Sequence, residues 1–418
     1  MVGSRVRFVH SADLHIDSLF KTKGHLPGRL LDKLRSSTFE AFDRLIDLCI
    51  KHQVDFLLIA GDLYNEEIRS IKAQVHLRRG FERLQQKNIH VYVSYGNHDY
   101  IEGNELPIEM PENVHIFSSQ NVSYFPFVKE DGESVHIYGF SYETREVRDR
   151  KVKSFKKMGE ADFHIGMLHG SVDTNTEHNV YAPFSMRELK DCQMDYWALG
   201  HIHKRSVLAT DPPVIYPGNI QGRSRKESGE KGCYLVESGS GEWDYQFIPL
   251  QSFTYESIRM ECQAIKEPEH LEKVLEEAKS HVHVGSSVML TIELVAEDGD
   301  LKEWENAGYI KEWVEILNES EDLNAEGWIW IENVTIEDRK SWDETELKRG
   351  AHFTGELLRT IDRLREEEIE EWMEPLFSHR KASRYIRSLD DEERKETLER
   401  AKVLLLECLM ASERGGTK

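Results

Sequence analysis

Val91-Tyr92-Val93-Ser94-Tyr95-Gly96-Asn97-His98-Asp99 is the stretch on which the reading of the fold turns. An alternating apolar run ends in glycine, and three polar side chains follow without a gap. The pattern predicts a strand, Ile89 to Tyr95, that delivers Asn97, His98 and Asp99 at its carboxyl end. Gly96 permits a sharp turn there and opens a positive φ to the backbone. Asn-His-Asp is also ordinary turn composition, so the weight of the segment depends on whether the chain repeats the arrangement.

It does. Val6 to His10 reads as a strand running into Ser11-Ala12-Asp13-Leu14-His15-Ile16-Asp17, and Val54 to Ala60 as one running into Gly61-Asp62. Between them Leu30 to His52 has helical spacing, with Leu34, Phe39, Phe42, Leu45, Ile46 and Cys49 on one face. Ile68 to Gln86 is a second helix. Strand, helix, strand, helix, strand predicts βαβ units in a sheet covered by helices. Further strands follow the same grammar: Val135 to Phe140 before Ser141, Phe163 to Leu168 before His169-Gly170, Tyr196 to Leu199 before Gly200-His201-Ile202-His203, Pro213 to Tyr216 before Pro217-Gly218-Asn219, then Cys233 to Val236. Polar residues placed just after strands sit where α/β folds build their sites.

The eight polar residues collected this way are Asp13, His15, Asp62, Asn97, His98, His169, His201 and His203. All offer oxygen or nitrogen and none is a thiol, a donor set suited to manganese, iron or a mixed dinuclear site. With His98 set aside, two carboxylates, one amide oxygen and four imidazoles fill two octahedra if one carboxylate bridges and water completes them. In an extended segment residues i and i+2 point the same way, so Asp13/His15 and His201/His203 could each aim two ligands at one locus.

Asp13-x-His15, Gly61-Asp62, Gly96-Asn97-His98-Asp99, His169-Gly170 and Gly200-His201-x-His203 occur in an order that resembles the calcineurin-like metallophosphoesterase superfamily. Ser11-Ala12, Leu63-Tyr64 and Tyr216-Pro217-Gly218-Asn219 make the context similar to its DNA-repair exonuclease branch, the SbcD-type nucleases. The resemblance covers residues 5 to about 250. It implies a metallophosphoesterase fold, a two-sheet β-sandwich flanked by helices. It implies two divalent metal ions, most often Mn²⁺, one held by Asp13, His15, Asp62 and His203 and the other by Asp62, Asn97, His169 and His201. It further implies that His98 acts on the phosphate, that Asp99 orients His98, and that a hydroxide activated by two metals attacks phosphorus in line. Several relatives carry a histidine where this chain has Asn65, so substrate handling is expected to differ there while metal binding is not.

The activity implied is hydrolysis of phosphodiester bonds in DNA, as a 3′→5′ exonuclease with single-strand endonuclease activity, in end processing and repair beside an SbcC-type coiled-coil ATPase. A homodimer through the helix Ile68 to Gln86 also follows from the resemblance. One alternative keeps the site and changes the substrate to a small phosphodiester or a phosphoprotein. Another makes the chain a non-catalytic DNA-end tether.

Three regions are expected: a nuclease domain over 1–250, a small α+β capping domain over 251–340, and a helical C-terminal region over 341–418 that could dock the ATPase partner. In the second region Tyr255 to Met260, Val288 to Leu294 and Trp328 to Ile336 read as strands, and Pro268 to Ser280 and Ile310 to Leu317 as helices. Beyond Trp342, Glu344 to Glu368 places Leu347, Phe353, Leu357, Ile361 and Leu364 on one helical face. Asp390 to Glu393 favours the first turn of a last helix with Leu398, Ala401, Leu404, Leu405 and Cys408 as its apolar face.

Of the formal net charge of −22, residues 1–250 carry −4 and residues 251–418 carry −18. The acidic C-terminal part disfavours unspecific binding to nucleic acid or membranes. With five scattered cysteines and no CxxC pair, signal pattern or apolar run near ~18 residues, the protein is expected in the cytosol, away from membranes. His10, His52, His76, His90, His136, His164 and His178 read as structural, His281 and His283 as a solvated face, and Asp17 as either a helix cap or a support to the site. The basic run Arg145 to Lys157 reads as a solvated segment or a track for a phosphate backbone. Arg223, Arg225 and Lys226 lie nearer the ligands in sequence and are candidates for backbone contacts.

Overall fold

Strand β2 (Phe56–Ala60) shows why these residues fold as they do, because all five are buried. Phe56, Leu58 and Ala60 face one core while Leu57 and Ile59 face another. Burial on both faces is what a parallel strand covered on each side requires. The computed structural model describes residues 5–20, 23–65, 69–103, 108–173, 181–239, 242–262, 267–282, 285, 287–296, 300–325, 327–338, 344–364, 366–379, 394, 397–399, 401–402, 405–406 and 409.

One six-stranded sheet has the order β12-β11-β1-β2-β3-β4, with β1 (Arg7–Ser11), β2, β3 (His90–Ser94) and β4 (Val114–Ile116) parallel and β11 (Gly232–Ser238) antiparallel to β1. Strand β12 (Trp243–Pro249) runs antiparallel to β11. The second has the order β5-β6-β7-β8-β10-β9, with β6 (Ser134–Gly139), β7 (Phe163–His169), β8 (Tyr196–Gly200) and β10 (Pro213–Tyr216) parallel and β5 (Ser123–Val128) and β9 (Ser206–Thr210) as antiparallel edges.

The sheets meet through a core that joins Phe8, Phe56, Leu58 and Tyr92 of the first to Ile137, Ile165, Met167, Tyr196 and Ile215 of the second. Helices α1 (Gly28–Lys51) and α2 (Ile71–Gln85) cover the first sheet's outer face with Phe42, Leu45, Ile46, Leu77 and Phe81. Leu189 of α3 (Met186–Asp191) joins the core on the other outer face, under Tyr138, Trp197 and Leu199. The expected sandwich of two sheets flanked by helices is therefore the observed fold.

Strands β13 (Thr254–Glu261), β14 (Val288–Ala296) and β15 (Ile329–Asp338) form a third sheet in that order. Helix α4 (His270–Ser280) packs on β13 and on α6 (Tyr309–Glu319), and Asn318 of α6 hydrogen-bonds the backbone of Ile331 in both directions. By its contacts the chain divides into one unit of residues 1–294 and 304–335 and another of 295–303 and 336–418. Among the described residues no helix is long and apolar enough to cross a membrane.

Where one helix was expected over Glu344 to Glu368, there are α7 (Glu344–Arg349), α8 (Phe353–Ile361) and α9 (Glu366–Phe377). The break lies at Gly350, after which the His352 ring accepts the Gly355 N–H at 3.1 Å and starts α8 afresh. The break carries Phe353 off the expected face, to 70% exposure. In the last segment Lys402 and Leu406 are buried while Ala401 and Leu405 are exposed, so the apolar face is offset from the one expected. Ile68, His178, His283, Trp342, Asp390 to Glu393, Leu404 and Cys408 lie outside the described residues. Strands β4, β5, β9 and β12 and helices α3 and α5 (Asp300–Asn306) were not expected from the sequence. β5 carries Pro126, and a proline in a strand is tolerated at a sheet edge.

Candidate metal centre

Five parallel strands, β1, β2, β3, β7 and β8, bring their carboxyl ends to one place. Asp13 and His15 follow β1, Asp62 follows β2, Asn97 and His98 follow β3, His169 ends β7, and His201 and His203 follow β8. The backbone there is not extended. Asp13, His15, Asp62 and His201 hold φ of 51°, 44°, 53° and 97°, a left-handed conformation that costs non-glycine residues free energy and recurs at functional sites. Asp13 and His15 therefore converge through a turn and not through strand alternation. The turn is locked by Asp13 N–H to Gly61 O and His15 N–H to Asp62 O, both 3.0 Å. Gly96, expected to use positive φ, is not in that conformation. It is required by closeness, since a Cβ there would strike the Asp62 carboxylate and the His169 ring.

Asp13, His15, Asp62 and His203 each present one ligand atom, and these atoms all lie within 4.8 Å of one another. His15 Nε2 and His203 Nε2 are 3.0 Å apart, and His203 Nε2 is 3.8 Å from Asp13 Oδ1. Beside this group, Asn97 Oδ1 lies 3.0 Å from His169 Nε2 and 3.1 Å from His201 Nδ1. Asp62 Oδ2, 3.9 Å from His15 Nε2 and 3.5 Å from His169 Nε2, stands between the two groups. Burial first, then the nearby Asp62 charge, raises the Asp13 pKa well above the usual carboxylate value. Burial pushes His15 well below the usual imidazole value, and the Arg223 charge adds to it. Two buried carboxyls that repel one another, facing a His15 ring that burial holds neutral, are a donor set that fits a divalent cation.

Two of the ligand rings are held from behind. His169 Nδ1 meets Ala60 O at 2.9 Å, and His203 Nδ1 meets the Glu227 carboxylate at 2.7 Å. A carboxylate or carbonyl on the far ring nitrogen leaves the other nitrogen's lone pair for a metal. Hydrogen bonds with His203 and the Arg223 charge hold Glu227 down to about 2 despite its burial. His98 Nδ1 is held at 3.0 Å by the backbone carbonyl of Asn65. Asp99 does not orient His98 as expected: its carboxylate accepts the Leu63 and Gly96 N–H groups, each at 2.6 Å, and so fixes the two ligand loops. Arg69, buried between Tyr64 and Tyr95, donates to the carbonyls of Asp99 and Tyr100 and holds the same turn.

Glu227, Arg69 and the contact role of Asn65 were missed in the sequence. Glu227 lies 24 residues from its histidine, and no local pattern announces such a pairing. Asp17 neither caps a helix nor reaches the ligands; it accepts from Ser70 Oγ, which caps α2. His10 is structural, bonded to Tyr196 Oη and Leu199 O and lowered to about 3 by burial. In the basic run, Arg148 pairs with Glu146, Arg150 with Asp173 and Glu188, and Lys157 with Asp195, which favours the solvated reading over a phosphate track. Asp62, Asn97, His98, His201 and His203 open on a cleft of about 720 Å³ whose rim adds Tyr181, Lys204, Lys226 and Lys231.

A family model described as calcineurin-like phosphoesterase matches residues 6–205. The chain is 38% identical over 403 residues to the uncharacterized metallophosphoesterase YhaO of Bacillus subtilis (strain 168), covering 95% of this chain and 96% of that protein. It is also 27% identical over 275 residues to the DNA double-strand break repair protein Mre11 of Thermoplasma acidophilum, covering 61% and 68% of the two chains. The protein of the same name from Methanocaldococcus jannaschii is 28% identical over 277 residues, covering 62% and 68%.

Proposed function

The chain belongs to the calcineurin-like metallophosphoesterases, metal-dependent hydrolases, and on that premise we propose that it is a manganese-dependent DNA nuclease. Its reaction is hydrolysis of phosphodiester bonds, 3′→5′ from ends, with endonuclease action on single strands. The observation that carries this reading is the convergence of Asp13, His15, Asp62, Asn97, His169, His201 and His203, four of which (Asp62, Asn97, His201 and His203) line a lysine-rimmed cleft. The similarity to the archaeal repair proteins supports DNA as the substrate.

Asp13, His15, Asp62 and His203 would hold one ion, and Asp62, Asn97, His169 and His201 a second, with Asp62 shared. Bound divalent ions lower the pKa of water and offset phosphate charge. The chain's own residues do the rest. Carbonyl oxygens only accept hydrogen bonds, so the contact with Asn65 O fixes the proton of His98 on Nδ1. Nε2 is then the nitrogen offered to substrate. As imidazolium, His98 would donate its Nε2 proton to the leaving oxygen and end as the neutral ring, its Nδ1 proton still hydrogen-bonded to Asn65 O. Lys204, Lys226 and Lys231 attract the polyanion to the cleft.

We further propose that the protein works in the cytosol beside an SbcC-type ATPase; any ATP-driven step needs such a partner, since the sequence holds no Gly-x-x-x-x-Gly-Lys-Ser/Thr loop. The small α+β region over 251–340 acts as a cap over the nucleic acid, and α2, with Ile71 64% exposed, offers a face for a second copy. The test is a Mn²⁺ assay on blunt, recessed and single-stranded DNA. Degradation from 3′ ends supports the reading. Hydrolysis of a nitrophenyl diester with no cleavage of any DNA replaces it with a small-phosphodiester enzyme.

A further inference from the structure

We propose that Arg223 grips the non-bridging oxygens of the phosphodiester beside the ligand cluster, held to that task by Asn65 and Glu227. The inference rests on the hydrolase reading of the site but not on DNA being the substrate.

Arg223 lies in the loop after β10, and only 18% of its side chain is exposed. Its shortest bond runs from Nη1 to the neutral Asn65 Oδ1, at 2.6 Å. The ion pair with Glu227 is the longer contact, Nη2 to Oε1 at 3.4 Å. Glu227 is already satisfied without it, by His203 on Oε1 and by Asn219 Nδ2 and the Arg223 backbone N–H on Oε2. His203 Nδ1 also lies 3.2 Å from Arg223 Nη2, yet it cannot accept there while its proton goes to Glu227. Arg223 Nε is buried with no partner. Among the described residues, then, a half-buried guanidinium with five donors makes one short bond, to a neutral oxygen, and one long one, to Glu227. That is an under-satisfied cation, and a planar fork matched to phosphate is the group that would use it.

Its position fits the use. Asn65 takes Arg223 on its side chain and His98 on its carbonyl, while Glu227 takes both Arg223 and the ligand His203. The guanidinium is thus one residue removed from the histidine that meets the phosphate and one from the ligand cluster. Its charge reaches Asp13, lowering its pKa against the rise due to burial. Arg223 stands directly behind two residues of the cleft wall, His203 and Glu227, and the lysines that line the cleft differ from it: Lys204 and Lys226 are exposed, and Lys231 Nζ is bonded to His203 O. Asn65 alone could not bring a charge to this point; together with Arg223 it does.

The test compares R223A, R223K and N65A with the wild type in the manganese-loaded protein. Three quantities are read: inorganic phosphate binding by calorimetry, kcat and KM on bis(4-nitrophenyl) phosphate and on a single-stranded oligonucleotide, and Mn²⁺ affinity. R223A is expected to weaken phosphate binding and raise KM on both substrates by about 10–100-fold, while Mn²⁺ affinity stays within about twofold. R223K recovers only part, because an ammonium keeps the charge and loses the fork. N65A gives a smaller effect of the same kind. Unchanged phosphate binding overturns the proposal. So does a parallel loss of Mn²⁺ affinity, which would make Arg223 a prop for His203, and so does a loss confined to the oligonucleotide. R223K and N65A carry the comparison if R223A does not fold. A wild type that cleaves the small ester but no DNA refutes the nuclease reading and leaves this one standing.

Discussion

Glu227 shows what one residue does at a distance from the chemistry. Its carboxylate takes the far nitrogen of His203 at 2.7 Å, so Glu227→Gln should weaken metal binding about 10–100-fold. Titration calorimetry with Mn²⁺ checks it against wild type. His10 makes the opposite case, a buried histidine with no part in the site. Its pKa is lowered to about 3 in the fold, against about 6.5 when unfolded, so between those values the unfolded chain binds the extra proton. Stability due to neutral His10 is complete above pH 6.5 and is lost as pH falls toward 3, a slope that His10→Gln should flatten in urea titrations. The eight polar residues after the strands were legible because each follows an apolar run directly. The hydrogen bonds behind the rings were not, because Asn65 O, Ala60 O and Glu227 are chosen by tertiary approach, which leaves no local pattern.

At the scale of elements, strand ends and short turns decide the site. The left-handed Asp13, His15, Asp62 and His201 persist because the loops after β1 and β2 bond one another, the Asp99 carboxylate ties the β2 loop to the one after β3, and the Asp13 carboxylate accepts the His201 N–H. Strands buried on both faces were readable as apolar runs, whereas the edge strands β5, interrupted by Pro126, and β9, bounded by Ser206 and Thr210, gave no such signal. The segment between β1 and α1 is tied to β15 by a buried ion pair of Lys23 and Glu332, exposed by only 8% and 5%. Lys23→Ala strands a buried carboxylate and should cost roughly 3–5 kcal/mol in unfolding free energy. Lys23→Ala with Glu332→Gln should recover much of it, and equal losses in the single and double variants would rule the pair out as the cause. Gly350 and His352 divided what periodicity alone read as one helix, because hydrophobic spacing does not register a backbone break.

For the whole molecule, the division of charge separates two roles. Residues 1–250 are near neutral and hold the site, while residues 251–418 carry −18 of the −22. Phe353, Trp372 and Leu376 stand 70%, 65% and 48% exposed on α8 and α9, apolar surface that supports our proposal of an ATPase docking there. Deleting residues 342–418 should abolish co-purification with the ATPase and spare hydrolysis of small esters; an intact complex would refute the docking role. The account as a whole rests on Asp62 bridging and His98 standing free of the metal. The most direct measurement is metal content per chain, by mass spectrometry after dialysis, together with diester hydrolysis for wild type, Asp62→Ala and His98→Ala. The account predicts two ions in wild type, both retained by His98→Ala with hydrolysis lost, and neither held tightly by Asp62→Ala. Equal loss of metal in the two variants would make His98 a ligand and contradict it.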